Sequence, residues 1–365
     1  MKLNNGALVV LASVCLLASV AGAEEESWAD RMSLSGDLRI RYETIDVESL
    51  PSRDRARYRA RLALAIAASD NVKVVMELAS GADDPVSRNV TFDGGFSADD
   101  IGFDLAYADW TPMEGMHVLA GKMKNPLYRA GGNSLIWDGD LNPEGVALTY
   151  SKGLLFANAG HFWVEERSSD DDSTLTAAQI GARFNIGDNA KLTAGVGYFA
   201  YSNTIGNTPF YNGAPKGNTV DAQLNYLYEY KDTELFAQFD TSIGDLPLQI
   251  FAQTTRNSKV DEQDTGIAYG VMLGAAKDVG QWEAALVYHD IEADAVIGTF
   301  NDSDFGGGGT GADGLIFKAK YAVAKNVSLA ATYFSNTLAA NTIAGLNIPE
   351  LDYDRLQLDV EFKFK

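Results

Sequence analysis

Apolar and polar residues alternate one for one along most of this chain. Leu34, Gly36, Leu38, Ile40 and Tyr42 are interleaved with Ser35, Asp37, Arg39 and Arg41. Successive side chains on an extended strand point to opposite faces, so this spacing makes one apolar and one polar face. Ala56, Tyr58, Ala60, Leu62, Leu64 and Ile66 repeat the pattern, with Arg55, Arg57, Arg59 and Arg61 between the first of them. Val72, Val74, Met76 and Leu78 continue it, and Ile101, Phe103, Leu105 and Tyr107 form a fourth run. Later runs lie at 178–184, 192–198, 220–228, 315–323 and 356–364.

The connections alternate as well. Short turns at 69–71, 111–115, 152–153, 187–189, 231–232, 278–280 and 325–326 interleave with long polar loops at 44–54, 82–98, 124–143, 203–218, 291–312 and 338–351. Transmembrane barrels have this rhythm, with short periplasmic turns and longer external loops. The strands run near the ~9–11 residues that cross a bilayer. Tyr42, Tyr58, Tyr107, Tyr150, Tyr228 and Phe364 lie near strand ends, which suits an aromatic girdle. The segmentation gives about 17 strands, but termini on one side require an even number. Residues 233–256 hold a break at 242–247 that is or is not a turn, and 24–32 has room for part of another strand. The expected fold is therefore all-β: a transmembrane antiparallel β-barrel of about 16 strands, with 18 as the alternative.

Composition agrees without deciding. The 365 residues are 46% hydrophobic and 22% charged, with mean hydropathy −0.11, values that a soluble enzyme shares. A barrel hides its lipid face in every second residue. A net charge of −21 argues against nucleic acid as a partner. No later stretch is long and apolar enough for a transmembrane helix. At the N-terminus Lys2 precedes an apolar run at 7–20 and an Ala21, Gly22, Ala23 cleavage pattern. This reads as a secretory signal peptide over 1–23, leaving 24–365 as one barrel domain. Cys15, the only cysteine, lies in the apolar run, and Val14 before it is bulky for a lipoprotein site. The mature chain then has no disulfide.

Arg53, Arg55, Arg57, Arg59 and Arg61 occupy every second position, so on a strand they share a face. Each would cost roughly 2–4 kcal/mol on the lipid side near the midplane, so the row must face the lumen. Arg39 and Arg41 extend it on the preceding strand. Glu77, Asp104 and Lys122 complete the expected pore lining. Rows of Arg or Lys bias a water-filled channel toward anions. Asp37, Glu43, Glu77 and Asp104 on neighbouring inward faces would instead balance the arginines. Both outcomes stay open at this point.

Other motifs carry less. Asp83, Asp84, His289 and Asp290 could be cast as the acidic and histidine groups of a barrel hydrolase. With 50 acidic residues and three histidines, such adjacency arises by chance. No Gly-x-Ser-x-Gly elbow supports a serine nucleophile. The dinucleotide-like pattern starting at Gly195 lies inside an alternating strand with no helix after it. A single calcium-type nonapeptide at 308–316 cannot build stacked turns, though Asp302, Asp304 and Asp313 could make weak divalent contacts shared with lipopolysaccharide. No catalytic residue, metal site or cofactor is expected.

The stretches LSGDLRIRYE at 34–43 and RDRARYRARL at 53–62 resemble the opening strands of the "Putative porin" family of Gram-negative outer membranes. NPEG at 142–145, DSDFGGGGT at 302–310 and YDRLQLD at 353–359 are similar to its later signatures. The resemblance implies an outer-membrane channel for small hydrophilic solutes, surrounded by lipid and lipopolysaccharide and assembled as a homotrimer. It also implies that loop 124–143, which carries Lys124, Arg129, Trp137, Asp138 and Asp140, folds into the lumen; an ordinary external loop is the alternative. Family barrels commonly end in an aromatic residue, whereas here Lys365 follows Phe364. The expected function is passive diffusion through a lumen lined by the arginine ladder. A structural or surface-interaction barrel without channel activity is the alternative from another class.

Overall fold

The computed structural model describes residues 28–81, 83–338 and 350–365. The expected signal peptide lies outside the described residues. The chain forms β1 (Met32–Val47), β2 (Arg53–Ser69), β3 (Val72–Ser80), the two-residue β4 (Val90–Thr91), β5 (Ile101–Met113) and β6 (Met116–Lys122). Then follow β7 (Glu144–Lys152), β8 (Leu155–Glu165), β9 (Ser173–Ile186), β10 (Ala190–Tyr201), β11 (Lys231–Ile243) and β12 (Leu246–Asn257). The last are β13 (Thr265–Gly274), β14 (Trp282–Ile291), β15 (Ala312–Ala324), β16 (Val327–Leu338) and β17 (Leu351–Phe364).

Every pairing is antiparallel, and β1 pairs with both β2 and β17. The sheet is thus closed, and no backbone edge is left for lipid to meet. Apart from β4, which only pairs with β2 at Arg57 and Tyr58, 16 strands form the wall. That is the expected number, reached by a different route. The alternating run at 220–228 is not a strand. It folds back on itself through the side chain of Asp221, which accepts from the N–H groups of Gln223 and Asn225, and Val220 bridges Tyr226. Nor is 231–232 a turn, since Lys231 and Asp232 already pair with β10. The break at 242–247 is real, a two-residue turn in which Gly244 takes a positive φ of 59°.

One bulge matters for function. Glu77 on β3 pairs with Leu105 and Leu78 pairs with Phe103, so Asp104 is an extra residue on β5. The bulge reverses the alternation there, so Ile101 and Phe103 face outward while Leu105 does not. Asp104 is buried inside as a result.

The outer face is apolar all round, as Leu38, Ile40, Phe103, Ile180, Leu235 and Leu358 illustrate. The inner face divides into two unlike halves. On β1, β2 and β17 it is charged. From β7 to β16 it carries Phe156, Phe162, Phe199, Phe236, Phe251, Val287, Ile316 and Phe334, all buried in one apolar cluster. Loop segments 123–143, 202–230 and 292–311 enter the barrel and cover that half. They contribute Leu135, Trp137, Tyr226, Tyr230, Ile297 and Phe305 to the same cluster.

Candidate functional site

The charged wall is built by strand register. Across β1 and β2, Asp37 faces Arg61, Arg39 faces Arg59, Arg41 faces Arg57 and Glu43 faces Arg55. Across β1 and β17, Arg41 faces Asp359 and Glu43 faces Gln357, with Arg355 diagonal to it. Two of these steps oppose arginine to arginine, which is unfavourable unless anions intervene. Anions do. Asp37 binds Arg61 at 2.6 Å and Arg59 at 3.0 Å. Arg41 forks onto both oxygens of Asp359 at 2.7 and 2.8 Å, a bidentate pairing. Glu43 is wholly buried and takes Arg55, Arg57 at 3.5 Å and Arg355 at 2.5 Å.

The inward loops reach this wall. Asp140 of loop 123–143 lies 3.3 Å from Arg59 and 3.5 Å from Arg61. Asp304 of loop 292–311 lies 2.8 Å from Arg355 and 3.2 Å from Arg41. The guanidiniums of Arg41, Arg55, Arg57, Arg59, Arg61 and Arg355 thus meet the carboxylates of Asp37, Glu43, Asp140, Asp304 and Asp359, and Arg39 adds a seventh guanidinium beside them. Cations are in excess. Arg39 makes no ion pair among the described residues and donates instead to the Asn89 side chain at 2.6 Å. The Nε atoms of Arg39 and Arg57 are buried without acceptors among the described residues. Middle-level residues Arg39, Arg41, Arg59 and Asp359 are almost fully covered. Open space remains on either side of that level: a cavity of about 170 Å³ toward the long loops and one of about 360 Å³ toward the short turns.

Loop 123–143 is fastened to the opposite wall by three glutamines. Gln179 accepts from the Tyr128 N–H at 2.8 Å and donates to its carbonyl at 2.9 Å. Gln238 accepts from the Gly131 N–H and the Tyr128 hydroxyl, at 2.8 and 2.7 Å. Gln253 accepts from Asn133 at 2.5 Å. The loop in turn holds 292–311. Asp138 accepts from the Ser303 N–H at 3.0 Å, and Asn301 donates to the Leu135 carbonyl at 2.5 Å.

Burial and the nearby carboxylates of Asp302 and Asp140 push the Asp138 carboxyl well above its ordinary range. Burial and Asp304 raise Asp302 likewise. Asp304 is equally buried, yet the guanidiniums of Arg355 and Arg41 outweigh that and hold it low.

Of the residues expected to line the pore, Arg39, Arg41, Arg55, Arg57, Arg59 and Arg61 come together in this network. Arg53 lies exposed at the loop-side end of β2, outside it. Asp104 is buried on the inner side but binds Arg88 at 2.7 Å and Asn142 at 2.8 Å, tying two loops together. Glu77 is half-buried beside the turn-side cavity. Lys122 pairs with the exposed Glu144 at 2.7 Å, away from the ladder. Sequence reasoning missed Arg355, Asp140, Asp304 and Asp359 as ladder partners. YDRLQLD held the signal for two of them, because Arg355 and Asp359 share the inward face of an end strand that must close on β1.

The hydrolase reading finds no geometry. His289 is buried against Phe305, their rings 5.1 Å apart, and both its ring nitrogens lack partners among the described residues. Asp290 points to the other face of β14. Among the described residues no group of three or more His, Cys, Asp or Glu converges on a metal position. Asp302 accepts from the Asp304 N–H at 2.9 Å, and Asp313 accepts from the Thr337 hydroxyl.

A family model described as "Putative porin" matches residues 47–228 and 237–364. No curated protein sequence matches the chain. Solved structures share its fold at low identity. Pseudomonas putida OprB aligns at 10% identity over 91% of this chain and 94% of its own, with a TM-score of 0.62. Salmonella typhi OmpF aligns at 12% identity over 91% and 97%, with a TM-score of 0.56. The trimer form of OmpT, an outer membrane protein of Vibrio cholerae, aligns at 14% identity over 91% and 99%, with a TM-score of 0.52.

Proposed function

Because the chain belongs to the "Putative porin" family of outer-membrane barrels, we propose that it is a passive diffusion channel whose solutes move along the arginine ladder. One observation carries this reading: the barrel is apolar outside, while its charged inner wall keeps open space on both sides of the ladder's middle. Solutes of limited size would exchange their hydration for contacts with fixed charges as they pass. The chemistry needs no cofactor and no bond-making step. The surface-interaction alternative is disfavoured because three of the longest loops are spent inside the barrel. We read the assembly as a homotrimer, on the strength of the trimeric likeness.

Planar-bilayer recording of the purified protein tests the reading. Discrete, stable conductance steps are expected, with a reversal potential that favours chloride in a KCl gradient of high mean concentration. A silent barrel would overturn the channel reading. A cation-favouring sign at that high salt would leave the channel but remove the ladder's part in selection.

A further inference from the structure

The loop-side cavity has a composition that plain diffusion does not require. Arg55, Arg57 and Arg355 line it from the wall and Lys216 from loop 202–230, against Asp84 and Asp304. The anions nearest these cations are already engaged. Glu43, beneath the cavity, is shared by all three arginines. Asp304 is shared by Arg41, Arg355 and the Gln357 amide. Asp84 caps the Val86 N–H at 3.0 Å and its carbonyl accepts from Arg88.

Donors are left over. A guanidinium carries five N–H bonds. The Nε of Arg57 is buried with no acceptor among the described residues, and the contacts of the two terminal nitrogens are long, 3.5 Å to Glu43 and 3.2 Å to the Asn89 carbonyl. Lys216 is exposed to the cavity and makes no ion pair among the described residues. Arg57 itself lines the cavity and its guanidinium has only those long contacts, so an acceptor entering the cavity would be better placed than the ones it has. Tyr211 also lines the space, where a hydroxyl can meet a polar substituent of the ligand.

We infer that this cavity is a discrete binding site for a small oxyanion, a carboxylate or a phosphate, bridged between Arg57 on the wall and Lys216 on the loop. Planar oxyanions match the guanidinium fork, which chloride cannot. At about 170 Å³ the cavity holds the equivalent of roughly five or six waters, enough for a short organic acid or inorganic phosphate. This inference deepens the channel reading and rests on it for its role in transport, but the site itself can be tested without conductance.

Titration calorimetry of the full-length detergent-solubilised protein with succinate, with inorganic phosphate and with glucose tests the site directly. Saturable heat with succinate or phosphate, and none with glucose, is expected; which of the two binds tighter names the ligand class. Lys216→Gln lies on an exposed loop position and leaves the barrel wall intact, so it should fold and weaken binding several-fold. Arg57→Gln should weaken it by about tenfold, the loss of a charge-assisted contact. No heat from either anion, or equal affinity in wild type and Lys216→Gln, would overturn the site. In bilayers the same anions should produce saturable, concentration-dependent block that Lys216→Gln relieves. Binding without any conductance would keep the site and reject the channel. Conductance with no saturable block and no binding heat would do the reverse.

Discussion

Glu43 shows how the ladder is held at residue scale. It is the shared acceptor of Arg55, Arg57, Arg355 and the Gln357 amide, and no part of it reaches solvent. Removing one partner of a buried charge network leaves uncompensated charge and costs about 3–5 kcal/mol. Glu43→Gln, nearly isosteric, should therefore lower the thermal unfolding midpoint of the barrel clearly; an unchanged midpoint would mean that the arginines are neutralised elsewhere. The loop carboxyls make a second prediction, about pH. Asp138 and Asp302 sit above the ordinary carboxylate range, so the folded protein binds their protons more readily than the unfolded chain. Stability then falls as pH rises through their raised values and is regained on acidification. Asp304 behaves oppositely. Its contribution is full above the ordinary carboxylate value and is lost only as pH falls through its depressed one. Between those limits Asp302 loses charge while Asp304 and the arginines keep theirs. Unfolding midpoints should therefore rise as pH is lowered from neutrality toward the ordinary carboxylate value, while chloride selectivity strengthens. Asp302→Asn should flatten both trends.

At element scale the loops depend on close backbone approach. Gly131 has a φ of +63°, and a Cβ there would meet the Phe251 ring at 2.2 Å. Gly131→Ala should push loop 123–143 off the β12 wall and change single-channel conductance, with little effect on the barrel's strand content by circular dichroism. Gln238→Ala removes the acceptor of two loop donors and should act in the same direction. This is also where the sequence stops being readable. Alternation marks a strand by its lipid face, which is why most of the 16 strands and their turns were legible. It cannot tell a strand from a hairpin tip whose residues also alternate, and 220–228 was misread for that reason. The inward course of the loops did leave a trace. Leu155 and Phe156, Leu235 and Phe236, and Ile250 and Phe251 are apolar on both faces of their strands. An apolar inner face cannot be left to water, so something in the chain must cover it. Which loop does so depends on side-chain fit, and the glutamine acceptors that fasten it come from three separate strands.

For the whole molecule, net charge and pore charge have opposite signs, and they are separated in space. The chain carries −21, much of it on exposed loop-side residues such as Asp93, Asp99, Asp100, Asp170, Asp171, Asp172, Asp261 and Glu262. The ladder inside has more guanidiniums than carboxylates. An anion entering from the loop side therefore meets repulsion first and attraction later. The two fields respond differently to salt, because exposed charges are screened within the Debye length while buried ones are screened much less. That length is about 30 Å at 0.01 M and about 3 Å at 1 M. At low ionic strength the acidic rim should oppose the ladder and pull selectivity toward neutrality or cations. At high ionic strength the rim is screened and the ladder's preference for chloride should emerge. Reversal potentials measured at a fixed tenfold KCl gradient over a range of mean concentrations should thus move toward chloride as salt rises. Neutralising Asp170, Asp171 and Asp172 together should reproduce the high-salt value at low salt. A selectivity that weakens monotonically with salt would show instead that the rim and the ladder do not act as separate fields, and that the arginines are balanced by their own carboxylates.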